Sequence, residues 1–203
     1  MAVYTESFNT ADSSTLGPDL TWVESFGNLA VASNALTETP AGGGGGRARA
    51  EHDVGSDDMF TEIIVTSFVI PSGAVTGAVV ARHQSGADSG YLFTVGVDSA
   101  AAWSWDLSVF TAGSLTFIAG GDPGTQTTPF TIRIVAIGTQ ISGYINSTLI
   151  TSQADSTFTT GQRGGAGAAR DTGGTCLLDS FRTGTSAEII PPVVLWPNLS
   201  RRG

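Results

Sequence analysis

Residues 131–150 read TIRIVAIGTQISGYINSTLI. With Phe130 added in front, the first half sorts cleanly in an extended chain. Phe130, Ile132, Ile134 and Ala136 fall on one face, and Thr131, Arg133, Val135 and Ile137 fall on the other. One face is wholly apolar and the other mixed, which predicts a strand whose inner side packs a core and whose outer side is partly wet. Gly138-Thr139 then turns the chain into a second strand, 140–146, and Asn146-Ser147 turns it into a third, 148–153. Arg133 is the only charged residue in the twenty, so this stretch reads as framework and carries no catalytic set.

The pattern extends outward in both directions. Short runs of the same kind recur at 3–8, 21–26, 29–36, 47–52, 59–69, 74–82, 91–98, 103–110, 115–119 and 176–183, punctuated by Ser and Gly clusters. The run 59–69 has apolar residues on both faces and reads as a central strand. No window of a dozen residues repeats apolar positions with helical spacing. The expected fold is all-β, with the strand spacing of an antiparallel sandwich or barrel. Two Gly-rich segments interrupt it: GGGGG at 42–46, read as a flexible loop, and RGGAGAARDTGGT at 163–175, read as a Gly-rich loop around one short strand. Neither has the helix or lysine of a phosphate cradle.

At 203 residues the chain suits one all-β domain, placed at 1–187, followed by a Pro-rich arm at 188–203. In EIIPPVVLWPNLSRRG, Pro191 and Pro192 stop strand formation, while Val194, Leu195 and Trp196 carry apolar bulk that must pack on something. That makes these five residues the candidate partner-docking set, with the chain's own domain as the alternative surface. The single cysteine, Cys176, excludes an internal disulfide and reads as a small buried hydrophobe. A net charge of −9, with nine arginines and no lysine, gives no basic stripe for nucleic acid. No stretch approaches the ~20 apolar residues of a membrane span. The N-terminus has neither a basic nor an apolar leader segment, so synthesis in a cytoplasm without a signal peptide is expected.

Candidate chemistry is sparse. His52 and His83 lie in separate strands, and no sequence signal singles out a nucleophile to join either. Glycoside hydrolysis needs two carboxylates at a set separation. On a strand the natural arrangement is Glu-x-Asp-x-Glu; the nearest approach is Glu51-His52-Asp53, and Asp57-Asp58 would point opposite ways. Asp155, Asp171 and Asp179 are the acids that could serve a structural calcium, but their spacing does not support one and no cofactor is expected. Trp103 and Trp105 share a strand face, as do Tyr91 and Phe93. Such a stripe is either core or a platform for stacking sugar rings. On the second reading Trp103, Trp105 and Tyr91 are the candidate glycan-binding residues.

The whole run of motifs resembles a known family. The 131–167 segment, with Gly138, Tyr144-Ile145-Asn146, Asp155, Gly161 and Gly165 to Gly167, and the closing Asp179-Ser180-Phe181, is similar to the laminin-G-like, concanavalin A-like jelly rolls. GAVVARHQSGADSGYLFTV and DDMFTEIIVTSF resemble that family's upstream strands. Where the family has Asn-Gly, this chain has Asn146-Ser147, which leaves Asn146 as the left-handed turn residue and allows a turn extended through Thr148. Stand-alone domains of this composition resemble minor tail proteins of actinobacterial tailed phages. The resemblance implies a non-enzymatic structural virion protein at the tail or tail tip, homo-oligomeric, partnered by other virion proteins and by host-surface glycan. The alternatives are a capsid decoration protein anchored by its C-terminal arm and, more remotely, a polysaccharide-active enzyme.

Overall fold

A computed structural model describes residues 3–12, 16–38, 44–70, 73–171 and 174–188. It holds fifteen strands: β1 (Val3–Glu6), β2 (Trp22–Phe26), β3 (Leu29–Ala32), β4 (Ala35–Glu38), β5 (Gly44–Ala50), β6 (Met59–Val69), β7 (Ala74–His83), β8 (Gly90–Asp98), β9 (Trp103–Thr111), β10 (Ser114–Gly121), β11 (Phe130–Ile137), β12 (Gln140–Ile145), β13 (Thr148–Ala154), β14 (Arg163–Arg170) and β15 (Thr175–Thr185). They form two antiparallel sheets. The first runs β13-β12-β11-β6-β15-β4-β3, with β1 also paired to β15; the second runs β10-β9-β8-β7-β14-β5-β2. The all-β fold read from the sequence is observed, as the two-sheet sandwich that the jelly-roll resemblance implies.

The opening stretch behaves as its alternation requires. Phe130, Ile132, Ile134 and Ala136 are buried in the core between the sheets, and β6 lies centrally between β11 and β15. From the facing sheet, Val79, Phe93, Val95, Ala166 and Ala168 close the core. Asn146 takes φ +54° in a two-residue turn, with Ile145 opposite Thr148, so the turn does not extend through Thr148. Asn146 also ties the turn down: its backbone N–H donates to Thr131 O at 2.7 Å and its Oδ1 accepts from Thr131 N at 3.0 Å. Cys176 is fully buried in the core, and that burial drives its thiol far up from the ordinary range.

Three expectations need correction. Residues 29–36 are not one strand but a hairpin, β3–β4, in which Ser33 (φ +55°) and Asn34 (φ +59°) both take the left-handed conformation of a tight two-residue turn. The segment 163–175 is not chiefly loop: eight residues of it form β14, an interior strand between β7 and β5. Gly44 to Gly46 of the GGGGG run likewise belong to β5. Glycine and alanine fill these strands because their neighbours come too close for anything larger. A Cβ on Gly164 would collide with the Thr183 and Thr61 hydroxyls of the facing sheet. The last described residues form a 3-10 turn, Ser186–Glu188. Pro191, Pro192, Val194, Leu195 and Trp196 of the C-terminal arm lie outside the described residues.

Candidate functional site

Tyr91, Trp103 and Trp105 face the interior. Tyr91 is fully buried, edge-on to Phe158; its hydroxyl donates to Asp155 Oδ1 at 2.7 Å and accepts from Phe158 N at 3.0 Å. Burial, helped by the Asp155 hydrogen bond, pushes its phenol up to about 12. Trp103 packs on Phe68 and Phe130, and Trp105 tilts against Phe93. Of the two readings, core or sugar platform, Tyr91 belongs to the core, and Trp103 and Trp105 are partly buried and packed against it. The alternation that puts them on one face turns that face toward the opposite sheet.

The other face of the same strands carries a different set and is partly covered by its own side chains, with Ala78, Val80, Leu92 and Phe110 forming a second, smaller buried cluster there. Strand register places Asp106 (β9), Thr94 (β8), Ala78 (β7), Gly167 (β14), Arg47 (β5) and Phe26 (β2) directly opposite one another, in one row across the sheet. Gly167 is where the row depends on a missing side chain. A Cβ there would lie 2.7 Å from Gly46 O and 3.2 Å from Arg47 Cγ. The bare backbone lets the Arg47 stem pass close over β14. Its guanidinium lies 4.8 Å from the Phe26 ring centre and 4.9 Å from that of Phe110, and Nη2 donates to Asp88 Oδ2 at 2.7 Å. Arg47 is only 8% exposed, so these cation–π contacts act where water screens them weakly.

Beside Arg47 lies a groove of about 260 Å³ walled by Phe26, Ala78, Leu92, Leu115 and Gly167, with the Thr76 and Thr94 side chains on its lining. Phe26 and Leu115 are about half exposed, and Phe117 on the edge strand β10 more so. A pyranose ring matches such a surface, since it offers an apolar C–H face and hydroxyl edges together. No local spacing marks Arg47, Phe26 or Asp88. The one available signal was the i, i+2 alternation of β9, which assigns Asp106 to the face opposite Trp105.

The two histidines have defined surroundings. His52 stacks on Tyr4. His83 is fully buried; its Nδ1 meets Gln84 O at 3.2 Å and must carry the proton, so Nε2 accepts from Ser25 Oγ at 3.3 Å. Asp88 Oδ1 lies 3.7 Å from that same Nε2. A serine, a histidine and an aspartate thus meet, although no sequence signal joined them. They do not make a nucleophilic triad, in which the acid must hold Nδ1 and leave Nε2 to the serine. Burial lowers the His83 pKa to about 4, making it a poor base.

Glu51 pairs with Arg49 and Arg163, and the other candidate acids serve the backbone. Asp53 Oδ1 accepts from Gly55 N, Asp57 Oδ1 from Gly161 N and Asp58 Oδ1 from Gly138 N, each bracing a loop. Asp155 holds Tyr91 and Thr157 N, Asp171 holds Ala74 N, and Asp179 holds Ser180 N. Among the described residues no three His, Cys, Asp or Glu side chains group as metal ligands. On β9, the outward positions on either side of Asp106 are Ser104 and Ser108, so the strand brings one carboxylate to the face rather than an alternating set.

No protein-family profile and no curated protein sequence matches the chain. Solved structures do. The carbohydrate-binding module CBM66 from Bacillus subtilis superposes with a TM-score of 0.61 at 20% identity, covering 81% of this chain and 95% of that one. The fold is a jelly-roll sandwich. The Bacillus licheniformis beta-glucanase shares it with a TM-score of 0.61 at 11% identity, over 91% and 99% of the two chains. So does the CBM2 module of the evolved Dit of Lactobacillus casei BL23 phage J-1, at 0.57 and 10% identity, over 90% and 97%. At these identities the likeness is one of fold, and the fold hosts binding modules and enzymes alike.

Proposed function

We propose that this chain is a carbohydrate-binding structural component of a tailed-phage virion, placed at the tail or tail tip, and that glycan lies along the outer face of the seven-stranded sheet. The observation that carries the binding reading is the Asp106–Thr94–Ala78–Gly167–Arg47–Phe26 row with its apolar groove. The Phe26 ring offers a face to sugar C–H groups, Thr76 and Thr94 offer hydroxyls, and Asp106 beside them accepts hydrogen bonds from sugar hydroxyls. Similarity to carbohydrate-binding modules, one of them from a phage Dit, supports the same reading. We read the site as non-catalytic because Asp106 has serine on both sides where a second carboxylate would be needed. The 188–203 segment serves as the arm that docks the domain on a neighbouring virion subunit. The domain is made in the host cytoplasm and multiplied by the symmetry of the particle.

A glycan array and a pull-down on host envelope test the binding. Wild-type protein is expected to be retained, and Phe26→Ala to lose about tenfold or more in affinity, since one stacked ring is worth roughly 1–3 kcal/mol. No retention of the wild type on either surface would sink the glycan reading. Immunogold labelling of particles tests the location: gold on the tail is expected, and gold confined to the capsid shell would replace the tail assignment with a decoration role.

A further inference from the structure

On the outer face of the other sheet, three strands bring one charged residue each into a single row. Arg133 on β11 and Arg182 on β15 both lie directly opposite Glu62 on β6. Arg133 reaches Glu62 Oε2 through Nε at 2.6 Å and through Nη2, and Arg182 Nη1 reaches Oε1 at 2.7 Å. Glu62 is 6% exposed and both its oxygens are occupied. Two guanidiniums against one carboxylate leave a net positive charge, in a chain whose overall charge is −9. The row lines a cavity of about 290 Å³ together with Thr131, Asn146, Ser147 and Ser180.

The polar groups left over are donors. Arg133 keeps Nη1, and Arg182 keeps Nε and Nη2. Asn146 has given its Oδ1 to Thr131 N, which leaves its amide nitrogen. Three hydroxyls complete the lining. The backbone has been shaped to make this row. A bulge between Asp179 and Arg182 places Ser180 at φ +53°, a conformation that costs a non-glycine residue roughly 1–2 kcal/mol. The inserted residue reverses the alternation, sending Phe181 into the core and Arg182 outward onto Glu62. Asp179 is held by Ser180 N and is absent from the cavity lining, while Glu6 and Asp19 line a neighbouring cavity on the other side of Ser180 and Arg182, where both carboxylates accept from backbone N–H groups.

We propose that this cavity is a binding site for an oxyanion of the carboxylate or phosphate class, gripped by Arg182 and Arg133 and oriented by the Asn146–Ser147 turn. The planar guanidinium fork suits both anions. The site lies on the opposite sheet from the glycan groove and does not depend on it.

The test is an NMR titration of the full chain, at low ionic strength, with sodium phosphate, sodium glucuronate and, as the neutral control, glucose. Saturable shifts at Asn146, Ser147 and Arg182 are expected with at least one anion. Glucuronate alone would identify an acidic sugar as the source, phosphate alone a phosphorylated ligand, and both would establish the oxyanion class. Arg182→Gln is expected to weaken binding about tenfold or more, through loss of a charge-assisted contact. Ser147→Asp, at an exposed turn that leaves the core untouched, should abolish it by like-charge repulsion. Absence of saturable shifts with either anion, or equal shifts with glucose, would overturn the proposal, as would undiminished binding in both variants.

Discussion

His83 shows how much one side chain depends on its surroundings. In the sequence it is a histidine at the end of an apolar strand; in the fold it is sealed under Phe110, between Ser25 and Asp88. Burial is the main reason its pKa falls from 6.5 to about 4, with the nearby positive charge of Arg49 and Arg47 adding to the shift. The sign follows from proton binding. Between those two values the unfolded chain takes up a proton that the folded chain refuses, so stability is fully present above about 6.5 and declines as pH drops toward 4. The shift corresponds to about 3 kcal/mol, as an order of magnitude. Urea titrations at pH 7 and pH 4.5 should show a steep loss for the wild type and a shallower one for His83→Gln. Equal slopes would mean that His83 titrates normally in the folded protein. At this scale Cys176 was legible from its neighbours and Asn146 from its turn. Tyr91, Trp103 and Trp105 were not resolved, because a period-2 stripe fixes which residues share a face and leaves open which face is buried.

Among the elements, β14 was the hardest to read. Strand patterning is visible when large apolar and polar residues alternate, and RGGAGAAR offers only glycine, alanine and two terminal arginines. The reason lies across the sheet: Arg47 passes over Gly167 and the facing sheet crowds Gly164. Gly167→Ala should therefore cost about 1–3 kcal/mol through overpacking, a fall of several degrees in Tm, and should displace Arg47 from Phe26 and Phe110. Calorimetry checks the first effect and loss of glycan retention the second; an unchanged Tm would show that Arg47 and the Gly46 backbone give way freely. The β3–β4 hairpin escaped notice because its turn uses Ser33-Asn34 without a glycine. The Ser180 bulge had no sequence marker, since a single inserted residue is defined only by the strand opposite.

For the whole molecule, the two-sheet core is assembled from strands between Val3 and Thr185. Deleting residues 188–203 should leave the domain cooperatively folded with Tm nearly unchanged, while abolishing incorporation into particles. Truncated protein that still assembles would overturn the docking role of the arm, and truncated protein that no longer folds would mean the segment belongs to the domain.

The strands that carry contrast, the apolar face of 130–137, the central place of 59–69, the Asn146 turn and hence the all-β class can be read along the chain. All of these follow from local spacing along the chain. The folded sandwich sets which side of β8 and β9 meets the core, and brings Phe26, Arg47 and Asp88 together on one face. It alone set Glu62 between Arg133 and Arg182, partners 71 and 120 residues away. Those groupings arise from strand order and register, which depend on how distant segments pair rather than on what any one segment contains.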